Sequence, residues 1–250
     1  MITPRLSGCI MCRNEADRLE RALRSLQFCD EIVVLDSGST DGSAEIAERL
    51  GARVVRTDWP GHTEQRRRLI AACAGYWVLT IDADEWVPEP LANEITTLLR
   101  ATDATSASMP RRHIWLGNVI HHGRLYPDRR LRLVRRDVAR VVGEDPHDLI
   151  EGEGRTGAPT HLLVNDLMHE PYRNLGEHLA TIDRYTASAA RTTHRGLLVL
   201  DLGVRPPWHF FRAYILERGF LDGIPGLMLA ALGALYVALK YARAHGLERA

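Results

Sequence analysis

The chain has 250 residues, enough to bury a sizeable core as one large α/β domain or as a domain with an appendage, and the second is expected. Basic and acidic residues balance at 32 each and 45% of residues are hydrophobic, which excludes a disordered tail protein and a nucleic-acid binder with a dedicated basic face. A small molecule or a membrane-bound substrate is the expected partner, and no nucleic acid.

Strand and helix signals alternate from the start. Leu6 to Met11 is an apolar strand, and Ala16 to Leu26 carries Leu19, Ala22, Leu23 and Leu26 at helical spacing. Glu31 to Leu35 repeats the strand signal, Ser43 to Leu50 the helix, and Arg53 to Arg56 is a third short strand. A helix over Glu64 to Ala74 bears Leu69, Ile70 and Cys73, and a fourth strand, Trp77 to Ile81, runs straight into Asp82. Strands separated by helices of this length imply right-handed crossovers and a parallel sheet, which binds ligands at the carboxyl ends of its strands. Pro88 opens a further helix, Glu89 to Arg100, with Leu91, Ile95, Leu98 and Leu99 on one side.

Regular alternation then stops. Residues 107–170 read as shorter strands and loops with Arg111, Arg112 and a run from Arg129 to Arg136, an acceptor-facing half. Asn174 to Thr192 reads as a helix and Gly196 to Pro207 as a connector. The expected organisation is a domain over 1–195, its donor half about 1–100 and its acceptor half about 101–195, followed by a helical extension over 196–250. In that extension Trp208, Phe210, Phe211, Tyr214 and Phe220 precede an apolar run from Ile224 to Leu239, short of the roughly 20 residues that cross a bilayer. An interfacial or re-entrant helical hairpin is expected, against the alternative of an ordinary buried helix pair. Cys9, Cys12, Cys29 and Cys73 fit a reduced compartment, and Met1 to Leu6 has no export pattern, so the expected location is cytoplasmic.

Chemistry-bearing residues gather at the predicted strand ends. In Asp82-Ala83-Asp84-Glu85 two carboxylates two residues apart are placed so that one contacts a ribose and the other a divalent cation, which Mg²⁺ or Mn²⁺ would share with phosphate oxygens. In Asp36-Ser37-Gly38-Ser39-Thr40-Asp41-Gly42 a turn and helix cap account for the hydroxyl residues but not for Asp36, a carboxylate suited to a base N–H such as that of uracil. Arg66 suits a diphosphate, whereas Arg67 and Arg68 read as a solvated helix face. The first strand ends in Arg13-Asn14-Glu15 without G-x-G-x-x-G, which excludes a nicotinamide enzyme of the Rossmann type. The same stretch lacks the Gly-rich phosphate loop of a nucleotidyltransferase, the competing enzyme class. A nucleotide-sugar-binding protein at a membrane, without turnover, is the competing non-enzyme class. The histidines match no zinc spacing. The arginines from 129 to 136 face an anionic acceptor or decorate the wet side of a strand, and both readings stand at this point.

The series Arg13-Asn14-Glu15, Asp36 to Asp41, Gln65-Arg66 and Asp82-Ala83-Asp84-Glu85 resembles the inverting family 2 glycosyltransferases of the GT-A fold. Tyr126-Pro127-Asp128, His147-Asp148, His169 with Tyr172, and Gly219 to Gly223 narrow that resemblance to the lipopolysaccharide core β-glucosyltransferase group. The resemblance implies an α/β fold with a mixed central sheet and a UDP-sugar donor, UDP-glucose first. It implies a glycolipid or lipopolysaccharide-core acceptor, reached from the inner face of the plasma membrane, and a bound Mg²⁺ or Mn²⁺. It carries Arg13, Glu15, Asp36, Arg66 and Asp82 to donor binding and Asp84 to the metal, with Asp82 and His169 as further metal candidates. It also implies single displacement with a carboxylate base. Similar proteins have a His-Glu pair where this chain has His147-Asp148, so Asp148 is assigned as base, with Asp145 and Glu144 as fallbacks.

Overall fold

A computed structural model describes residues 5–100, 104–143, 149–152 and 160–247. The chain forms two compact units, one of residues 1–111 with 129–169 and one of residues 112–128 with 170–250.

The first unit opens with β1 (Leu6–Cys12), α1 (Ala16–Ser25), β2 (Glu31–Asp36), α2 (Ser43–Arg49), β3 (Arg53–Arg56), α3 (His62–Ala72) and β4 (Trp77–Asp82). It continues through β5 (Glu85–Trp86), α4 (Glu89–Leu98), β6 (Ser106–Trp115), β8 (Asp128–Arg135), β9 (Arg140–Val142), β10 (Leu149–Glu151), β11 (His161–Leu162) and β12 (Leu167–His169), with β7 (Asn118–Val119) in the second unit. The main sheet runs β3-β2-β1-β4-β8-β6-β12-β5, and β9 pairs with β10 apart from it. Pairing is parallel among β3, β2, β1 and β4, then antiparallel from β4 to β8 and from β12 to β5. This is the mixed α/β sheet expected of the GT-A fold.

Alternation along the strands explains why helices cover both sheet faces. Ile10, Val34, Leu79 and Ile81 join Leu19 and Leu23 of α1 and Leu91 and Ile95 of α4 in one core. Cys9, Val33, Leu35 and Val78 join Leu69, Ile70 and Cys73, with Val141 and Ile150, in the other. All four cysteines are free thiols. Burial pushes the Cys9, Cys12 and Cys29 thiols up, that of Cys12 to about 11, so these sulfurs stay protonated and serve as packing atoms. The predicted elements as far as α4 all form, with ends moved by a residue or two.

The second unit holds the end of β6, its partner β7, α5 (Leu175–Ala190), α6 (Arg205–Phe211) and α7 (Gly223–Ala244). Asn174 caps α5, its Oδ1 accepting the Glu177 N–H at 2.9 Å. Trp115, Ile120, Ile182 and Leu232 form the core of this unit. Compactness therefore places 170–195 with the C-terminal helices, where the sequence drew a boundary at 195, because α5 buries Ile182 against them.

The connector expected over Gly196 to Pro207 is corrected: a π-helical turn, Val199–Val204, runs into α6, with Pro206 and Pro207 in the first turn of that helix. Proline is accommodated where an N–H has no intrahelical partner. The carbonyls of residues 202 and 203 lose their ordinary α-helical donors, in keeping with the wider π spacing before them.

Inside this unit Trp115 Nε1 donates to His178 Nδ1 at 3.1 Å, and the Tyr172 ring stacks on the imidazole at 3.9 Å. Burial lowers the His178 pKa, favouring the neutral ring that can accept from Trp115. Since the unfolded chain binds this proton more readily, stability is full above the unfolded value of about 6.5 and falls as pH drops through that range toward the lower folded value. Urea unfolding between pH 7.5 and 5.5 is expected to show this loss, and His178→Gln to flatten that part of the profile.

Candidate active site

The strand register sets the site. Cys12 lies opposite Asp36 and Met11 opposite Asp82, so β1, β2 and β4 end together and present their following loops on one edge. The first two loops are tied to each other by side chains. Asn14 adopts a left-handed conformation, φ +57°, and its Oδ1 accepts the Thr40 N–H at 2.8 Å. Ser39 Oγ accepts the Asn14 N–H at 2.9 Å, and Asp41 Oδ2 accepts the Ala16 N–H at 3.0 Å. Asp36 is 2% exposed, and its carboxylate takes the Ser39 N–H at 3.2 and 3.3 Å. Gln65, fully buried on α3, donates to Ser37 Oγ at 2.7 Å, while its Oε1 is buried without a partner among the described residues, an acceptor available to a ligand N–H. Asn14→Ala loses a hydrogen bond and keeps an awkward positive φ. The expected result is about 1–2 kcal/mol of lost stability in urea unfolding and a raised KM for the nucleotide, with kcat changed less.

The third loop carries the acidic motif, and it sits among arginines. Arg132 on β8 donates through Nη2 to Asp82 Oδ2 at 2.5 Å and to Glu85 Oε1 at 2.6 Å. Arg111 on β6 reaches the same Glu85 oxygen at 3.0 Å, and Glu85 Oε2 accepts the Asp82 N–H at 3.0 Å. Glu85 thus closes the turn from β4 to β5, and its fully buried carboxylate is held by two guanidinium groups. Arg66 Nη2 stands 3.5 Å from Asp82 Oδ1. Burial alone would raise the Asp82 carboxyl; the charges of Arg132 and Arg66 outweigh it and hold that carboxyl well below the usual range.

Asp84 is arranged differently. Its Oδ2 lies 3.3 Å from His169 Nε2 and 3.7 Å from Arg18 Nη1. Register explains the histidine, because β12 pairs with β5 so that His169 is opposite Glu85, one residue beyond Asp84. A carboxylate oxygen and an imidazole nitrogen side by side form a donor pair suited to a divalent ion such as Mn²⁺. Among the described residues no group of three or more His, Cys, Asp or Glu converges, so the remaining ligands of such an ion would be phosphate oxygens and water, as hard cations at phosphate sites accept.

A model of glycosyl transferase family 2 matches residues 7–144, which hold Asp36, Arg66, Asp82 and Asp84. The chain belongs to that family. It is a glycosyltransferase, which sets aside the nucleotidyltransferase and the binding protein without turnover. Over 95% of its length the chain is 29% identical to a lipopolysaccharide core biosynthesis glycosyltransferase, LpsC, of Rhizobium meliloti, covering 91% of that protein. It is 28% identical to an uncharacterised glycosyltransferase of Rickettsia conorii, over 91% of this chain and 85% of that one. Among solved structures it resembles glucosyl-3-phosphoglycerate synthase from Mycobacterium tuberculosis in complex with Mn²⁺, UDP and glucosyl-3-phosphoglycerate, at 21% identity and a TM-score of 0.48, covering 75% of this chain and 79% of that one.

Within this family member the predicted residues divide. Asp36, Arg66, Asp82, Asp84 and His169 line the strand-end edge or its neighbours, and Glu15 approaches Arg18 at 3.6 Å. Arg13 is exposed just past β1. Glu144, Asp145 and Asp148 lie outside the described residues. His121 and His122 present their N–H groups to Asp222 within the second unit. Arg67 is a partial exception to the solvated face, donating to the Val141 carbonyl at 3.0 Å, whereas Arg68 pairs with Asp58. Sequence reasoning missed Arg18, Arg111, Arg132 and Glu85 as members of the site. For Arg132 a signal existed: a lone arginine inside Leu131-Arg132-Leu133-Val134, on a strand with a buried segment, needs a carboxylate partner.

Proposed function

We propose that this glycosyltransferase moves a hexose, glucose first, from a UDP-sugar to a lipopolysaccharide-core or other lipid-linked glycan, with inversion at the anomeric carbon. The observation that carries the reading is the separation of roles at the acidic motif: Asp82 is clamped by Arg132 and Arg66, while Asp84 stands beside His169. Asp36 receives the N–H of the base, Asp82 the ribose and Arg66 the donor phosphates, and Arg13 and Glu15 belong to the donor-binding set. Asp84 and His169 hold Mg²⁺ or Mn²⁺, which when bound offsets the negative charge of the diphosphate. Clamped as it is, Asp82 contributes less to the ion than the sequence suggested.

For the transfer itself Asp148 is assigned as general base, with Asp145 or Glu144 in its place if it fails. Its carboxylate takes the proton of the acceptor hydroxyl as that oxygen bonds to the anomeric carbon and the UDP oxygen leaves with the bonding electrons. Similarity to a lipopolysaccharide core enzyme over nearly the whole chain supports the acceptor class. The location proposed with it is cytoplasmic, peripheral on the inner face of the plasma membrane, with 196–250 as the segment that meets the membrane.

Calorimetric titration with UDP-glucose, with and without Mn²⁺ and with NADH as a control, tests the donor site. Metal-dependent binding of UDP-glucose is expected and none of NADH. A folded protein that binds no UDP-sugar would remove the reading.

A further inference from the structure

The second unit leaves an unusual amount of carbon uncovered. Val204, Trp208, Phe211 and Ile215 follow one another at helical spacing and are 51, 54, 44 and 43% exposed. On α7, Ile224, Leu227 and Leu235 are 76, 40 and 39% exposed. Between α6 and α7 runs an open groove of about 450 Å³ lined by Pro206, Pro207 and Phe210 on one side and Ala231, Ala234 and Ala238 on the other. These side chains offer no hydrogen-bond donor or acceptor, so the groove suits a hydrocarbon chain and no polar ligand. An apolar patch of this extent on a soluble protein marks an interaction surface.

Charge selects the partner. From residue 195 to 247 the basic residues are Arg195, Arg205, Arg212, Arg218, Lys240 and Arg243, and the acidic ones Asp201, Glu217 and Asp222. All three acids are engaged: Asp201 by Arg205 and His245, Glu217 by Arg212 and Arg124, and Asp222 by His121 and His122. Among the described residues Arg195, Arg218 and Lys240 have no carboxylate partner. Apolar stripes with cations that no carboxylate neutralises complement an anionic lipid surface, whereas a second copy of the same face would set like charges together.

Helix α7 has 22 residues, long enough at 1.5 Å per residue to cross a hydrocarbon layer of roughly 30 Å, and only 17% of its apolar window is buried. Crossing is nevertheless opposed by its other face. Leu232 packs with Ile182 of α5, and Arg243 donates to the Asp183 carboxylate and the Thr186 hydroxyl, which ties α7 along a helix that also carries Glu177 and Arg184. Lipid cannot surround α7 without drawing those charges into hydrocarbon.

We propose that residues 197–240 form a bilayer-binding face that lies in the plane of an anionic membrane, its aromatic and aliphatic stripes in the headgroup boundary, with an acyl chain in the groove between α6 and α7. The proposal rests on the reading that the acceptor is carried by a membrane, and a test with lipid alone separates the two. The full chain is floated with phosphatidylcholine vesicles, with and without phosphatidylglycerol, at low and high salt. The expected result is capture by the anionic vesicles, weak capture by the neutral ones, and partial release by salt.

The double variant Trp208→Glu/Phe211→Glu is expected to lower binding about tenfold or more, and Arg218→Glu/Lys240→Glu to remove the preference for anionic lipid. Both should bind UDP-glucose as the native chain does, which shows that they fold. A Leu247→Cys variant bound to vesicles should react with a membrane-impermeant maleimide added outside; protection would mean that α7 crosses. Failure of the native chain to float, or native flotation by the Trp208/Phe211 variant, overturns the proposal. A variant that turns a dimer into a monomer without altering flotation assigns the face to a second copy. Flotation without UDP-glucose binding would leave this face standing and remove the donor reading instead.

Discussion

Asp84→Ala is expected to lower kcat/KM for transfer from a UDP-sugar by about 10³-fold, close to 4 kcal/mol of transition-state stabilisation, the scale of a lost metal site. The reason is the division of labour in the acidic motif. Asp82 already balances Arg132 and Arg66, so its charge is committed within the protein, whereas Asp84 has His169 at 3.3 Å and Arg18 only at 3.7 Å. In the proposed role, the Asp84 carboxylate is the part of the motif that would share a divalent ion with the diphosphate, and the variant removes it. Raising Mn²⁺ should restore part of the rate by mass action, and thermal unfolding should shift little, because Asp84 is partly exposed and outside the core. A variant with near-native kcat/KM at limiting Mn²⁺ would remove Asp84 from its proposed role.

Arg132→Met is expected to destabilise the fold by about 3 kcal/mol, at the lower end of the cost of breaking a buried ion pair. For a domain of this size that corresponds to a fall in Tm of roughly 6–12 °C. Glu85 carries most of the cost, being fully buried, although Arg111 remains at 3.0 Å to share its charge. Asp82, with a side chain 34% exposed, regains solvent and contributes less. Adding Glu85→Gln to Arg132→Met should recover part of the loss, since the charge left without its partner is then gone, and calorimetric unfolding of the four proteins in this cycle measures the coupling. Strict additivity would mean that the network is not a unit. The same clamp sets a pH dependence: the Asp82 carboxyl is depressed on folding, so its contribution is present above the ordinary aspartate value and is lost on acidification through the lower folded value.

Much of the first unit was legible because local and global preferences agree there. Apolar strands such as Glu31–Asp36, helices with Leu19 and Leu23 or Leu91 and Ile95 on one side, and acidic residues at strand ends each announce themselves within a short window. The GT-A reading followed from those windows in series, and the family match agrees with it. Legibility failed where a residue acquires meaning only from a distant partner. Glu85 stands in the acidic motif, but no neighbour in sequence reveals its structural part; Arg111 and Arg132, on β6 and β8, arrive beside it only when the later strands complete the sheet. The Pro206-Pro207 pair misled for a related reason, since proline stops a helix or opens one according to which residues precede it.

By itself, then, the sequence determined the alternating strands and helices, the carboxylates at their ends and the apolar, basic character of the last fifty residues, since period and composition are local properties of a chain. Tertiary structure alone decided that Asp82 is clamped while Asp84 stands beside His169, and that α7 is tied laterally to α5. Ion pairs and helix contacts depend on distances between residues far apart in sequence, and only the folded chain sets those distances.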